Sequence, residues 1–149
     1  MNQENKELLL KDLCARLPYY PKCEMIDELR VVNNEKDSSY ISTLFPKHIE
    51  LFSYHNNFTI RPYLRPLSSM TEEEFGKLEN YSELMYDQLN LASFQNGAYK
   101  CLDFYLSEVP SGAVIRVFDW LNKYHFDYRD LIQMGLAIAV TKENNPYKE

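Results

Sequence analysis

Four glycines in 149 residues leave this chain few places to build a loop that cradles a ligand. An average chain of that length carries about ten. The four are Gly76, Gly97, Gly112 and Gly135, and none lies in a G-x-G-x-x-G, G-x-x-x-x-G-K-[ST] or G-x-S-x-G pattern. Those patterns place glycine where the backbone turns sharply or approaches a phosphate. The familiar nucleotide-binding and α/β-hydrolase machineries are therefore excluded. The length allows one domain, or at most two small ones, and a core that needs no disulfides.

The apolar spacing divides the chain in two. Leu9, Leu10, Leu13, Cys14 and Leu17 recur every three or four residues, which predicts a helix over 4–17. Asn2 or Asn5 would cap it and Pro18 would end it. Residues 22–64 then change to short runs of β-branched and aromatic residues, with Asn33-Asn34 and Asn56-Asn57 as turn signals. These predict strands near 22–27, 29–33, 39–45, 48–54 and 58–64, arranged as an antiparallel meander or a small, partly open barrel.

The second half reads as mainly helical. Thr71 with Glu74 three residues on forms a capping box, and Glu72, Glu73 and Glu74 suit the positive end of a helix starting near 71. Gly76 weakens that helix, which is expected to reach about 79. Further helices are expected over 81–92, 98–109 (with an edge strand at 98–106 as the alternative) and 112–124, the last with Ser111 as its cap. Residues 93–97 (SFQNG) read as a turn. Asp127 is expected to cap a short helix over 128–134, which Gly135 would close in a left-handed conformation. Residues 136–140 read as a final short strand, and the polar tail reads as frayed, with docking of Tyr147 as the alternative. The fold class expected is thus α+β: an N-terminal helix, a small antiparallel sheet or partly open barrel, and a helical C-terminal part with a short final strand. Residues 1–66 and 67–149 form the two parts, with 65–71 as the hinge.

The net charge of −6 comes wholly from residues 67–149, since 1–66 are balanced. An acidic chain repels phosphate backbones, so duplex nucleic acid is a poor expected partner. Arg61, Arg65 and Lys47, with nearby aromatics, are the only hint of a single-strand-binding face. Cys14, Cys23 and Cys101 show no C-x-x-C spacing and an odd count, which speaks against a disulfide framework or a zinc site. Reduced, packed thiols on apolar helix faces account for Cys14 and Cys101. No stretch approaches a membrane span or a signal peptide, and a cytoplasmic location is expected.

Catalytic constellations are weak. His48, His55 and His125 show no metal-ligand spacing, and the carboxylates at 72–74 are explained by capping. No catalytic, cofactor or metal residue is assigned. The dense aromatic stretch at 118–129 remains. Its Trp120, Tyr124, His125, Tyr128 and Arg129, together with Arg65, make a candidate protein-interaction patch, since such residues recur at interface hot spots. The alternative is that the same aromatics pack short helices onto the sheet.

The blocks LLLKDLCARLPY (8–19), IRPYLRPLSSMTEEE (60–74) and WLNKYHFDYRDLIQMGLAIAV (120–140) resemble a family of uncharacterised proteins of gut Bacteroidetes, often found among phage-like or mobile-element genes. Where that family commonly has glycine after Tyr-Arg, this chain has Asp130. The resemblance implies a cytoplasmic accessory protein with an unknown protein partner. It carries no activity and no functional residue with it.

Overall fold

The computed structural model describes residues 1–28, 39–82, 91–96 and 111–148. The expected strand at 29–33, most of the helix at 81–92, and the helix at 98–109 with Cys101 lie outside the described residues. The fold is α+β, and the chain divides into two compact units. The first comprises Met1–Leu64 and Arg129–Glu149, the second Arg65–Tyr128. The break after Leu64 lies close to the expected hinge, but the last segment returns to the first unit.

In the first unit, helix α1 spans Gln3–Arg16, and the Asn2 side chain accepts a hydrogen bond from the Asn5 N–H at 2.8 Å. Pro18 turns its end into a 3-10 turn at Leu17–Tyr19, followed by Tyr20 at a left-handed φ of 51°. The buried face of α1 carries Leu9 and Leu13, but also Asp12 and Arg16. Arg16 donates to both oxygens of Asp12 at 2.7 and 3.0 Å, and the Arg129 Nε lies 3.3 Å from the same carboxylate. Because the face is centred on these four residues, Cys14 points outward and is exposed, contrary to the packed position expected of it.

Strands β1 (Lys22–Asp27), β2 (Ser39–Thr43) and β3 (Phe58–Pro66) match three of the expected strands. β1 lies between β2 and β3 and is antiparallel to both, so the order is not that of a meander. Strand β5 (Ile138–Ala139) adds parallel to β3, pairing Tyr63 with Ile138, which makes the sheet mixed. Pro62 fits within β3 because of the ladder's phase. Glu28 donates to the Asn57 carbonyl at 2.8 Å, so Glu24 and Arg61 face each other with hydrogen-bonding groups while Pro62 turns its nitrogen away from β1.

The expected strand at 48–54 is instead helix α2, Pro46–Tyr54. Pro46 sits in the first turn, where a missing N–H costs nothing. The His48 side chain accepts from the Phe45 N–H at 3.1 Å, and His48 and Phe52, four apart, are both buried. The aromatic and β-branched content of this segment suggested a strand, but its burial follows helical spacing. Leu9, Leu13, Met25, Phe52, Ile60 and Leu64 form much of the first unit's core.

The tail, expected to fray, is instead anchored by Tyr147. One further step of the β1–β3 register would pair Lys22 with Tyr63. The Tyr147 hydroxyl bridges that position: it accepts from the Lys22 N–H at 3.1 Å and donates to the Tyr63 carbonyl at 2.9 Å. The expected helix over 128–134 is reduced to one turn, because Asp130 takes a left-handed φ of 59°. Gly135, at φ 72°, closes that turn, with Leu136 donating to the Leu131 carbonyl and Gly135 to that of Ile132.

In the second unit, helix α3 runs Glu72–Ser82, beyond the expected end at 79. The capping box forms: Thr71 N–H donates to Glu74 Oε2 at 3.0 Å and Glu74 N–H to Thr71 Oγ1 at 3.2 Å. Arg116 donates to the Ser82 carbonyl at 3.2 and 3.3 Å, satisfying the helix's last turn. Helix α4 (Leu91–Gln95) replaces most of the expected turn at 93–97, because Phe94 is buried and Gln95 Nε2 donates to the Met70 carbonyl at 2.8 Å. Helix α5 (Ser111–Lys123) packs against α3, and strand β4 (Phe126–Asp127) pairs in parallel with Arg65 and Pro66 of β3. Asp127 thus serves a strand and not a helix cap.

Candidate functional site

The aromatic stretch is a core. Trp120 is buried, stacked on Phe126 with centroids 5.7 Å apart and packed against Tyr124 at 4.4 Å. Tyr128 is also buried, against Phe118, and its hydroxyl donates to the Asn122 Oδ1 at 3.0 Å. Both residues leave the expected contact patch, because they pack into the second unit's core cluster with Val117, Leu121 and Phe126. Arg65 is likewise committed, with its guanidinium 4.2 Å from the Phe126 ring centroid and paired with Glu74. His125 is half-buried at a left-handed φ of 60°, and its carbonyl accepts from the Arg65 N–H at 2.8 Å. Arg129 belongs to the first unit, beside Asp12. Of the six candidates, only Tyr124 is exposed.

The other constellations also resolve into structure. The Cys23 thiol is buried, and burial followed by the Asp12 charge pushes its pKa up to about 12, which suits an inert thiol and not a nucleophile. Burial, then Lys47, lowers the pKa of His48, whose ring is occupied by the Phe45 N–H. Arg61 pairs with Glu24 at 3.3 Å and Arg65 with Glu74 at 2.7 Å, so two of the three cations of the supposed single-strand face are neutralised. Among the described residues, no three His, Cys, Asp or Glu side chains gather to hold a metal, and no helix is long and apolar enough to cross a membrane.

No family model, curated protein or solved structure matches the chain.

The surface that sequence reasoning missed lies in the first unit. Among the described residues, five of the eleven exposed large hydrophobic side chains fall within 40–54: Tyr40, Ile41, Phe45, Leu51 and Tyr54. Tyr54 is 81% exposed and Ile41 56%. The first two lie on β2, which ends the strand order and pairs, among the described residues, only with β1. Leu44 donates to the Pro21 carbonyl at 2.8 Å, which sets the phase of that ladder. Tyr40 and Ser42 therefore turn their peptide groups toward β1, while Ser39, Ile41 and Thr43 turn theirs outward. Cross-strand partners share a face, so Tyr40 stands with buried Met25 at the rim of the core face. Ile41 stands with Glu24 and Arg61 on the opposite face.

The signal for this surface was present in the sequence but ambiguous. SYIST has the composition of a strand with no charge and no proline. Only the strand order shows that it is an edge, where natural sheets place lysine, proline or a bulge.

Proposed function

We propose that this chain is a protein-interaction module that binds through the surface formed by β2 and α2. The observation that carries this reading is the concentration of exposed apolar side chains at 40–54 on an uncharged edge strand. Exposed apolar side chains gathered on one short segment, as opposed to scattered singly, point to an interaction site. An edge strand adds main-chain donors and acceptors that an extended partner segment can pair with. The commitment of Trp120, Tyr128 and Arg65 to internal contacts moves the proposed contact away from 118–129.

We place the protein in the cytoplasm, as an accessory protein of phage or mobile-element type. The reduced-cysteine pattern supports the first point, and the resemblance of the three sequence blocks supports the second. The left-handed φ of 59° at Asp130 agrees with that resemblance, since it is a conformation glycine adopts most readily.

The test places a photoreactive side chain at position 41, 54 or 115 and irradiates the protein in a host extract. Discrete protein adducts are expected at 41 and 54 but not at 115, where Ile115 is an exposed side chain on α5 of the second unit. Ile41→Lys with Tyr54→Asp should abolish them. Equal adducts at all three positions, or none, would overturn the reading.

A further inference from the structure

We infer that the partner of the β2 edge is a second copy of this chain, joined by antiparallel pairing of β2 with β2 about a two-fold axis at Ile41. The inference rests on the interaction surface proposed above and names its occupant.

The argument begins with the ladder's phase. The outward peptide groups belong to Ser39, Ile41 and Thr43, and they are evenly disposed about Ile41. A two-fold axis there pairs Ile41 with Ile41 of the second copy, and each Ser39 with a Thr43. All three residues then meet as hydrogen-bonded pairs, as an isologous contact requires. Among the described residues of one copy, only the Ser42 hydroxyl covers one of these groups, donating to the Thr43 carbonyl at 3.2 Å.

Size and charge fit the same register. Tyr40 and Ser42, the two remaining β2 positions that flank Ile41, fall opposite one another across the axis. The large, exposed Tyr40 ring of each copy therefore meets a small Ser42 side chain, and no two rings collide. On the other face the two Ile41 side chains meet, covering apolar surface that is 56% exposed in one copy. β2 carries no charge, so a chain of net charge −6 brings no like charges together along the strand. An extended partner chosen by charge would find nothing on β2 to recognise. Nor does the strand carry the lysine, proline or bulge that blocks edge pairing.

Sedimentation equilibrium of the full-length chain tests the inference. The wild type should show a concentration-dependent monomer–dimer equilibrium. Ile41→Pro removes only an outward N–H and should keep the fold by circular dichroism while weakening the dimer by about tenfold or more. Ile41→Lys, an edge-blocking change that needs no backbone adjustment, should do the same and decides the matter if the proline variant misfolds. Ile115→Lys should dimerise like the wild type. In a Cys14→Ser, Cys101→Ser background, Ile41→Cys should oxidise to a covalent dimer, because paired Cα atoms at such a site lie about 5.5 Å apart, within disulfide reach. A wild type that stays monomeric to millimolar concentration overturns the inference. So does a dimer that survives Ile41→Lys, or one that Ile41→Cys does not trap. If the wild type is monomeric while position 41 still crosslinks a different protein in extract, self-pairing falls and the interaction surface stands.

Discussion

Arg65 grips both carboxylate oxygens of Glu74, at 2.7 and 3.0 Å, while one of those oxygens also caps helix α3 through the Thr71 N–H. One side chain thus closes the segment 65–74 and starts the helix that follows. Burial alone would raise the Glu74 pKa, but the hydrogen bonds from Arg65 and Thr71 outweigh it and hold the carboxyl below its usual value of about 4.5. The group's contribution to stability is then fully present above that value and is lost as pH falls through the lowered, folded-state pKa. Glu74→Ala should cost about 2–4 kcal/mol, from the charge-assisted bonds and the cap together. Urea unfolding between neutral and acid pH checks both points. The wild type should lose stability below about pH 4.5, and Glu74→Gln should lose less over the same range.

His48 should make the start of α2 sensitive to acid. Its Nδ1 accepts from the Phe45 N–H, so the cap exists only in the neutral ring. Burial, with Lys47 adding to it, lowers the pKa from 6.5. The sign is that of a group that must stay neutral to fold. Its contribution is complete above about 6.5 and is lost as pH falls from there through the folded-state value. A proton titration of the His48 ring by NMR should give a pKa below 6.5. A value above 6.5 would show that the cap is made by some other state of the ring.

Tyr147 predicts a local effect at a distant position in the sequence. Tyr147→Phe removes the hydroxyl that bridges Lys22 and Tyr63 and leaves a backbone donor and acceptor without it. The expected cost is about 1–3 kcal/mol. Burial also raises the phenol's pKa well above 10, so the docked tail is present below the unfolded value and is lost at strongly alkaline pH. Amide exchange at Lys22 is the discriminating measurement. It should accelerate in Tyr147→Phe, while exchange at Met25 and Ile60 in the middle of the sheet should change little.

What the sequence made legible was local. The capping box at 71–74, the Asn2 cap, the stop at Pro18, the left-handed Gly135 and strands β1, β2 and β3 are each decided within a few residues, and each is present in the fold. What it hid depended on distant partners. Residues 48–54 have strand-like composition, yet burial of His48 and Phe52 on one side makes them a helix. Gln95 reaches the Met70 carbonyl and holds a helix where SFQNG suggests a turn. The same blindness affected the functional reading. Trp120 and Tyr128 have the composition of a hot spot, but the same residues suit a small core, and only burial separates the two. Cys14 keeps helical spacing with Leu10 and Leu17, but the inward face of α1 is set by Asp12 and Arg16, a charged pair that hydrophobic periodicity does not count.

The scarce glycines give a paired prediction with opposite signs. Gly76 lies inside α3, and a methyl group built there meets nothing within 4 Å. Its backbone is helical, so glycine adds only flexibility to the unfolded chain. Gly76→Ala should stabilise the protein by about 0.4–1 kcal/mol. Gly135 also has open space around a Cβ, but it holds φ at 72° to close the turn after Leu131. Gly135→Ala should therefore destabilise by about 1–2 kcal/mol through backbone strain alone. Since neither site is crowded, the two variants separate conformational entropy from packing. Thermal unfolding of both, side by side, should show midpoints moving in opposite directions. A fall in both would mean that α3 does not hold Gly76 in a helical conformation in solution.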